Sequence, residues 1–476
     1  MKTDYRHTKI IFTIGPASES EEMLEQLIRE GGNICRLNMA HADHQWTRKT
    51  IQRLRAASAR VGRDIAIMMD IKGPEIRTGD LPETIHLVKG ELFDFITAGS
   101  RAEKLETNIR GVTVNYPSLA ADVSVGATLL VDSGLVRMEV VELLDDRVRC
   151  RVEIPGPMGS RRHINLPGVK VNLPALTEKD KADIAIGIEG DVEFFALSFV
   201  RQASDLELLR SFLEERDCSA NIVAKIEDQS AITNMNAIIS ACDGLMVARG
   251  DLGIECPYEE LPLIQRSAVN QCIRQKKPVI VATHMLESMI QSPIPTRAEV
   301  TDVANAVFET ADCLMLSGET AVGKYPLECI QVLDRISKEN EGKTGLSYRQ
   351  DIDLKTPKAK MLRSAVVLAQ DLNAGIVVFT RRGYLAQILS SLRPSKVPIY
   401  AFTDIPLIYK QMQMLWGVEP FFIEFSADHE ATIEASFEQL KTAQHGWTNP
   451  GDWMVVITNV LTEGLIVDTI QMRKIE

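Results

Sequence analysis

GLMVARGDLG at residues 244–253, read together with AKIED at 224–228, decides the fold of this chain. Each is a short apolar run that ends in charge: Lys225 and Glu227 close the first, Arg249 and Asp251 the second. An apolar run bounded in this way reads as a buried parallel strand whose C-terminal end opens onto a site. Two carboxylates able to hold a divalent cation, with a lysine and an arginine beside them, suit chemistry on a phosphorylated, anionic substrate.

Working outward, the same strand-then-helix unit recurs on both sides. KIIFTIG (9–15) precedes a helical pattern at 20–30, ICRLN (34–38) precedes a second near 43–61, and DIAIMMD (64–70) follows. From about 72 to 172 the alternation stops, and short β-type runs such as TIHLVKG, ATLLVDSG and RVRCRVEI stand between Gly, Pro and Asp. It resumes after Thr177, which is placed to cap a helix over 178–189. EFFALSF (193–199), NIVAKIE (221–227), GLMVARG (244–250), PVIVATHM (278–285) and CLMLSGE (313–319) then each lead into a helical stretch.

Three strands before the insert and five after it predict an α/β fold: a closed (β/α)8 TIM barrel with an all-β domain inserted after the third strand. An open doubly wound sheet is the rival. A charged segment at 337–357 marks a boundary, beyond which alternating runs predict a separate C-terminal α/β domain. The expected division is barrel over 1–71 and 173–345, β insert over 72–172, and C-terminal domain over 346–476.

Composition narrows the functional classes. The 53 basic residues against 65 acidic give a net charge of −12, which disfavours nucleic acid or an anionic membrane as a partner. No apolar run approaches the length that spans a bilayer, and IIFTI (10–14) is too short for a signal-peptide core. The eight cysteines include no Cys-x-x-Cys pair and read as thiols of a reducing compartment, with the cytoplasm as the expected location.

In a parallel barrel the site lies at the C-terminal ends of the strands. The chain puts polar residues there repeatedly: Arg36 and Asn38, Asp70 and Lys72, Lys225 and Glu227, Asp251, Thr283, then Ser317 and Glu319. Glu227 and Asp251 are the natural Mg²⁺ pair, since that ion takes hard oxygens and few protein ligands. The plainer alternative is an ion-pair network with Lys225 and Arg249. Lys225 offers a compact positive charge to a phosphoryl group or an enolate, or else an amine for a Schiff base.

Two apparent motifs fail. GETAVGKY (318–325) has P-loop spacing, but Tyr325 stands where Ser or Thr must reach the metal. His41 and His44 have helical spacing without a third ligand, so His41 is better read as a phosphate contact.

TKIIFTIGPAS (8–18), RLNMAH (36–41), MDIKGPEIRTG (69–79) and INLPG (164–168) occur in that order along the chain. AKIED, GLMVARGDLG, ATHMLESM (282–289), PTRAEVTDVANAV (295–307) and MLSGETAVGKYP (315–326) follow. Together they resemble the pyruvate kinase family through both barrel and insert; the C-terminal part resembles it in outline. The resemblance implies transfer of a phosphoryl group from phosphoenolpyruvate to ADP, giving pyruvate and ATP. It implies that Arg36 and Lys225 face the phosphoryl group, and that Gly250, Asp251 and Thr283 hold the enolpyruvate end. Asn38, His41, Arg77 and Arg162 become nucleotide-phosphate contacts. Glu227 and Asp251 bind Mg²⁺ or Mn²⁺, and Asn38, Asp70 and the Ile71 carbonyl bind K⁺.

The insert would close as a lid, hinged near 72 and 172, and family members are commonly homotetramers. This chain departs from the family at Ala40, where a serine usually helps bind K⁺, at Arg162 for lysine, and at His284 for glutamine. In TRRGYLA (380–386), Tyr384 and Leu385 replace the hydroxyl residues of the effector-phosphate loop, while Arg381 and Arg382 remain to hold an anion. A barrel-type pyruvate lyase or aldolase, and a catalytically weak regulatory binder, are the competing readings.

Overall fold

The computed structural model describes residues 5–97, 109–343, 352, 354–442, 448–462 and 465–476. Eight parallel strands close into a barrel: Lys9–Thr13, Ile34–Asn38, Ala66–Ile71, Phe194–Leu197, Asn221–Ile226, Gly244–Ala248, Val279–Ala282 and Cys313–Leu316. Each pairs with its neighbours in chain order, and the eighth returns to the first, with Lys9 aligned on Cys313 and Phe12 on Leu316. Closure removes both sheet edges and rules out the open doubly wound alternative.

The strands are apolar throughout because both of their faces are covered. Ile11, Ile34, Met68, Phe194, Val223, Met246, Ile280 and Met315 share one cluster that fills the interior. Their neighbours Phe12, Met69, Phe195, Val247 and Leu316 belong instead to the cluster shared with the surrounding helices. Met414, from the C-terminal part, joins the interior set, and its carbonyl accepts from Cys313 Sγ at 3.4 Å at the start of the eighth strand. One end of the barrel is therefore plugged. The opposite end, where the charged residues lie, carries the site.

Thr177 caps the helix Glu178–Glu189, as its sequence context predicts, through a full capping box with Asp180. Asp180 also accepts the Gly73 amide at 3.2 Å, so the helix that follows the insert is tied to the segment that enters it. Thr177→Ala should cost about 1 kcal/mol of stability, read as a lower urea midpoint, and Asp180→Ala should cost more because it releases Gly73 as well.

Between Ile71 and Glu178 the chain builds a six-stranded sheet in the order Ile164–Asn165, Thr128–Val131, Val136–Leu144, Arg147–Ile154, Leu92–Thr97, Arg110–Val114. It has a core of its own, including Phe93, Phe95, Leu129, Met138 and Val148. TIHLVKG is less regular than its composition suggests. Only Ile85–His86 is strand, paired with Pro157–Met158, because Val88 is exposed and the chain turns at Gly90 with φ +84°.

The C-terminal sheet runs Val418–Phe422, Ile399–Thr403, Gly375–Phe379, Trp453–Thr462, Leu465–Lys474, parallel except for the last strand. Between the second and first strands of that order lies the short helix Pro406–Gln411, which tightens into a 3₁₀ turn at Met412–Met414. Of the segment expected as a boundary, 337–357, the first residues extend the helix Pro326–Asn340, while 344–351 and 353 lie outside the described residues.

Candidate active site

Four charged side chains meet at the barrel mouth, all nearly closed to solvent: Arg36, Asp70, Lys225 and Glu227. Arg36 Nε donates to Asp70 Oδ2 at 2.6 Å, and a second guanidinium nitrogen reaches Thr13 Oγ1 at 3.1 Å. Lys225 Nζ lies 3.1 Å from Asp70 Oδ1, 2.7 Å from Ser198 Oγ and 2.8 Å from Glu227 Oε1. The other oxygen of Glu227 accepts the Phe199 amide at 2.7 Å. The three donors of the ammonium are thus matched by three fixed acceptors, which sets its direction.

The electrostatics follow from burial and proximity. Burial lowers the pKa of the Lys225 ammonium, but Asp70 and Glu227 raise it by more, so Lys225 stays firmly protonated. Burial raises the Asp70 carboxyl, and Arg36 and Lys225 bring it below its ordinary value. Glu227 behaves differently. Burial raises it, Lys225 lowers it, the charge of Asp251 raises it again, and the net shift is upward. Arg36 and Lys225 facing Asp70, Glu227 and Asp251 leave one negative charge without a partner, and that imbalance is what a divalent cation would neutralise.

Arg249 does not belong to this cluster, contrary to its expected place beside Asp251. It turns to Asp302 at 2.7 Å and donates to the carbonyls of Ala282 and Thr283 at 3.2 and 2.7 Å. In doing so it clamps the loop after the seventh strand, where Thr283 sits at φ +67° and His284 at +55°. A left-handed β-branched residue is rare and needs such restraint. The Thr283 hydroxyl accepts the Gly250 amide at 2.7 Å and donates to Ala282 O at 2.7 Å, so Gly250 and Thr283 are held together.

Glu319 is not a rim group either. It is fully buried, and its oxygens accept the amides of Leu286 and Ser317 at 3.1 and 2.7 Å, a structural duty within the eighth-strand loop.

Asn38 and Asp70 are aligned on adjacent strands, and Ile71 ends the second of them. Asn38 Oδ1 already accepts the Ala40 amide at 3.2 Å, and Asp70 already takes Arg36, Ser198 and Lys225. His41 is exposed beside them. Across the cleft, Arg77 pairs with Glu75 at 2.5 Å and donates to Arg161 O at 2.8 Å, while Arg162 reaches Asp132 at 3.4 Å.

Sequence reading missed Ser198 and Thr13, the neutral groups that orient Lys225 and Arg36. Their only signal is position: each falls at the C-terminal end of a barrel strand, with nothing charged to draw notice.

Among the described residues no group of three or more His, Cys, Asp and Glu is arranged to hold a metal. An ion at Glu227 and Asp251 would therefore take the rest of its shell from water and substrate oxygens, which is the habit of Mg²⁺. The donor set fits that ion: hard oxygens, unbalanced negative charge and a partly open mouth.

The profile for the pyruvate kinase barrel domain matches residues 5–330, and that for the pyruvate kinase alpha/beta domain matches 359–471. The chain belongs to the pyruvate kinase family. It is accordingly a phosphotransferase. Plastidial pyruvate kinase 3 of Arabidopsis thaliana is 42% identical over 450 residues, covering 92% of this chain and 78% of that one. The pyruvate kinase of Geobacillus stearothermophilus is 41% identical over 468 residues, covering 96% and 78%. That of Clostridium acetobutylicum is 37% identical over 476 residues, covering 98% and 99%. Among solved structures, a pyruvate kinase from Cryptosporidium parvum superposes with a TM-score of 0.92 at 34% identity, covering 99% of this chain and 96% of that one.

Proposed function

We propose that this enzyme transfers the phosphoryl group of phosphoenolpyruvate to ADP, giving pyruvate and ATP in glycolysis. The observation that carries the reading is the protonated Lys225, held by Asp70, Ser198 and Glu227 beside Arg36. Phosphoryl transfer through a loose transition state needs fixed cations around the moving group rather than a covalent partner. Arg36 and Lys225 supply them. Gly250, Asp251 and Thr283 receive the enolpyruvate end, with Thr283 near the carbon that must take up a proton. Asn38, His41, Arg77 and Arg162 receive the nucleotide phosphates.

Glu227 and Asp251 would hold Mg²⁺ or Mn²⁺, which would supply positive charge to offset that of the phosphoryl group. Asn38, Asp70 and the Ile71 carbonyl would hold K⁺, one ligand short where Ala40 stands. A Schiff-base lyase or aldolase needs a neutral amine, and the carboxylates around Lys225 favour the opposite state.

The division into a barrel over 1–71 and 173–345, a lid over 72–172 and a regulatory domain over 346–476 belongs to the same proposal, as do a homotetramer and a cytoplasmic location. The described cysteines are all unpaired, which suits a reducing compartment. No described helix is long and apolar enough to cross a membrane. In the C-terminal domain a cavity of about 310 Å³ lies beside Arg381, but that guanidinium is already bound by Asp404 at 2.8 Å. Only Arg382 of the two arginines is left to attract an anion from solution.

A coupled assay tests the reading. Pyruvate and ATP should form from phosphoenolpyruvate and ADP, only with Mg²⁺ or Mn²⁺, and faster when K⁺ replaces a larger organic cation. Absence of ATP, with a pyruvate adduct trapped by borohydride, would favour the lyase.

A further inference from the structure

Two of the contacts between the inserted domain and the barrel each lead to one of the two acidic residues of the site. Asn165, in the short strand Ile164–Asn165 of the insert, donates from Nδ2 to Glu255 Oε1 at 2.8 Å. Glu255 is the last residue of the helix Arg249–Glu255, whose first turn carries Gly250 and Asp251. Beside it the ring of His163 packs against that of Phe199 with centroids 5.7 Å apart, and the Phe199 amide is the group that holds Glu227. Gln229, just after the fifth strand, donates to the Glu255 carbonyl at 2.7 Å and fixes the far end of that helix.

The junction is not finished like a permanent core. Asn165 and Glu255 are 4% and 8% exposed, yet Asn165 Oδ1 has no partner. A buried, unpaired amide oxygen is destabilising, and it is relieved when water enters. A cavity of about 70 Å³ lies between the two faces, lined by Ile76, His163, Asn165, Phe199, Arg201 and Glu255. A contact with one good hydrogen bond, one orphaned acceptor and a cavity beside it is held less firmly than a fully satisfied core.

We propose that Asn165 and Glu255 form the latch that seats the inserted domain over the barrel mouth, acting as positioning residues for the transfer. This rests on the phosphotransfer reading above. Neither side chain touches the reacting groups. Seating the lid brings the insert's Arg162 over the nucleotide phosphates, and it holds the helix of Asp251 and the loop of Phe199 in their working places. Misplacing reacting groups by about an ångström costs on the order of 10²-fold in rate.

The test exploits the equal lengths of the exchanged side chains. Assayed at a pH above the range in which the raised Glu255 carboxyl holds its proton, Asn165→Asp sets a carboxylate against Glu255 and should lower kcat/KM about 100-fold, with KM for ADP raised. Combining Asn165→Asp with Glu255→Gln restores an amide–carboxylate bond in reverse and should recover most of the loss. Wild-type kcat/KM in Asn165→Asp, or a paired variant no better than Asn165→Asp alone, would overturn the latch. If Asn165→Asp does not fold, a cycle of Asn165→Ala, Glu255→Ala and both takes its place; a double loss smaller than the sum supports the latch, and strict additivity overturns it. Small-angle scattering reads the lid independently of chemistry: the radius of gyration should rise in Asn165→Asp and return in the paired variant. Should the wild type make no ATP, the phosphotransfer reading falls while the scattering result still decides the latch.

Discussion

Lys225→Met should lower turnover about 100- to 1000-fold, the loss typical when one preorganised electrostatic stabiliser is removed from a transition state. The expected signature is a fall in kcat with a smaller change in the KM for phosphoenolpyruvate. Lys225 is already bound to three acceptors in the resting site, so its ammonium is oriented before substrate arrives and need not be reorganised during transfer. Methionine keeps the stem and removes the charge. It also leaves Asp70 and Glu227 as buried carboxylates without their shared cation, a change that costs about 3–5 kcal/mol when a buried pair loses one partner. Thermal unfolding therefore has to be followed alongside the kinetics, and turnover compared at a temperature where both proteins are folded. A folded Lys225→Met enzyme with nearly normal kcat would remove the lysine from its role.

The barrel is legible in the sequence because a parallel strand buried on both faces must be apolar at every position, and eight such runs stand out against amphipathic helices. ICRLN needs no correction at either end: it is the strand Ile34–Asn38. The insert is harder to read, since half-buried antiparallel strands separated by turns carry weaker patterns, and TIHLVKG passes for a full strand on composition alone. In the site, charge is visible but direction is not. Arg249 and Glu319 stand at strand ends as prominently as Lys225 and Glu227, yet one faces Asp302 and the other two backbone amides. Spacing says which side of a strand a residue leaves from; it does not say whether the loop that follows needs that residue more than the substrate does. Ser198, Asn165 and Glu255 are missed for the converse reason, since a neutral or distant group gains its importance only from what folding sets beside it.

Asp251→Ala should weaken Mn²⁺ binding by more than about 100-fold, beyond the 10- to 100-fold that loss of a merely supporting residue costs a metal site. Titration followed by the electron paramagnetic resonance signal of free Mn²⁺ reads this without turnover. The two carboxylates are not equivalent. Glu227 is buried and spends one oxygen on Lys225 and the other on the Phe199 amide, whereas Asp251 is half-buried at the start of its helix. Removing Asp251 also takes away a charge that raises the Glu227 carboxyl, so Glu227 ionises more readily and keeps some affinity for the ion. Activity in Asp251→Ala should consequently recover in part at high Mn²⁺. Glu227→Ala, which unhooks Phe199 and frees Lys225 as well, should not recover. If Mn²⁺ affinity is untouched in both variants, the cluster is an ion-pair network around Lys225, and the divalent ion of the reaction must be held by substrate oxygens alone.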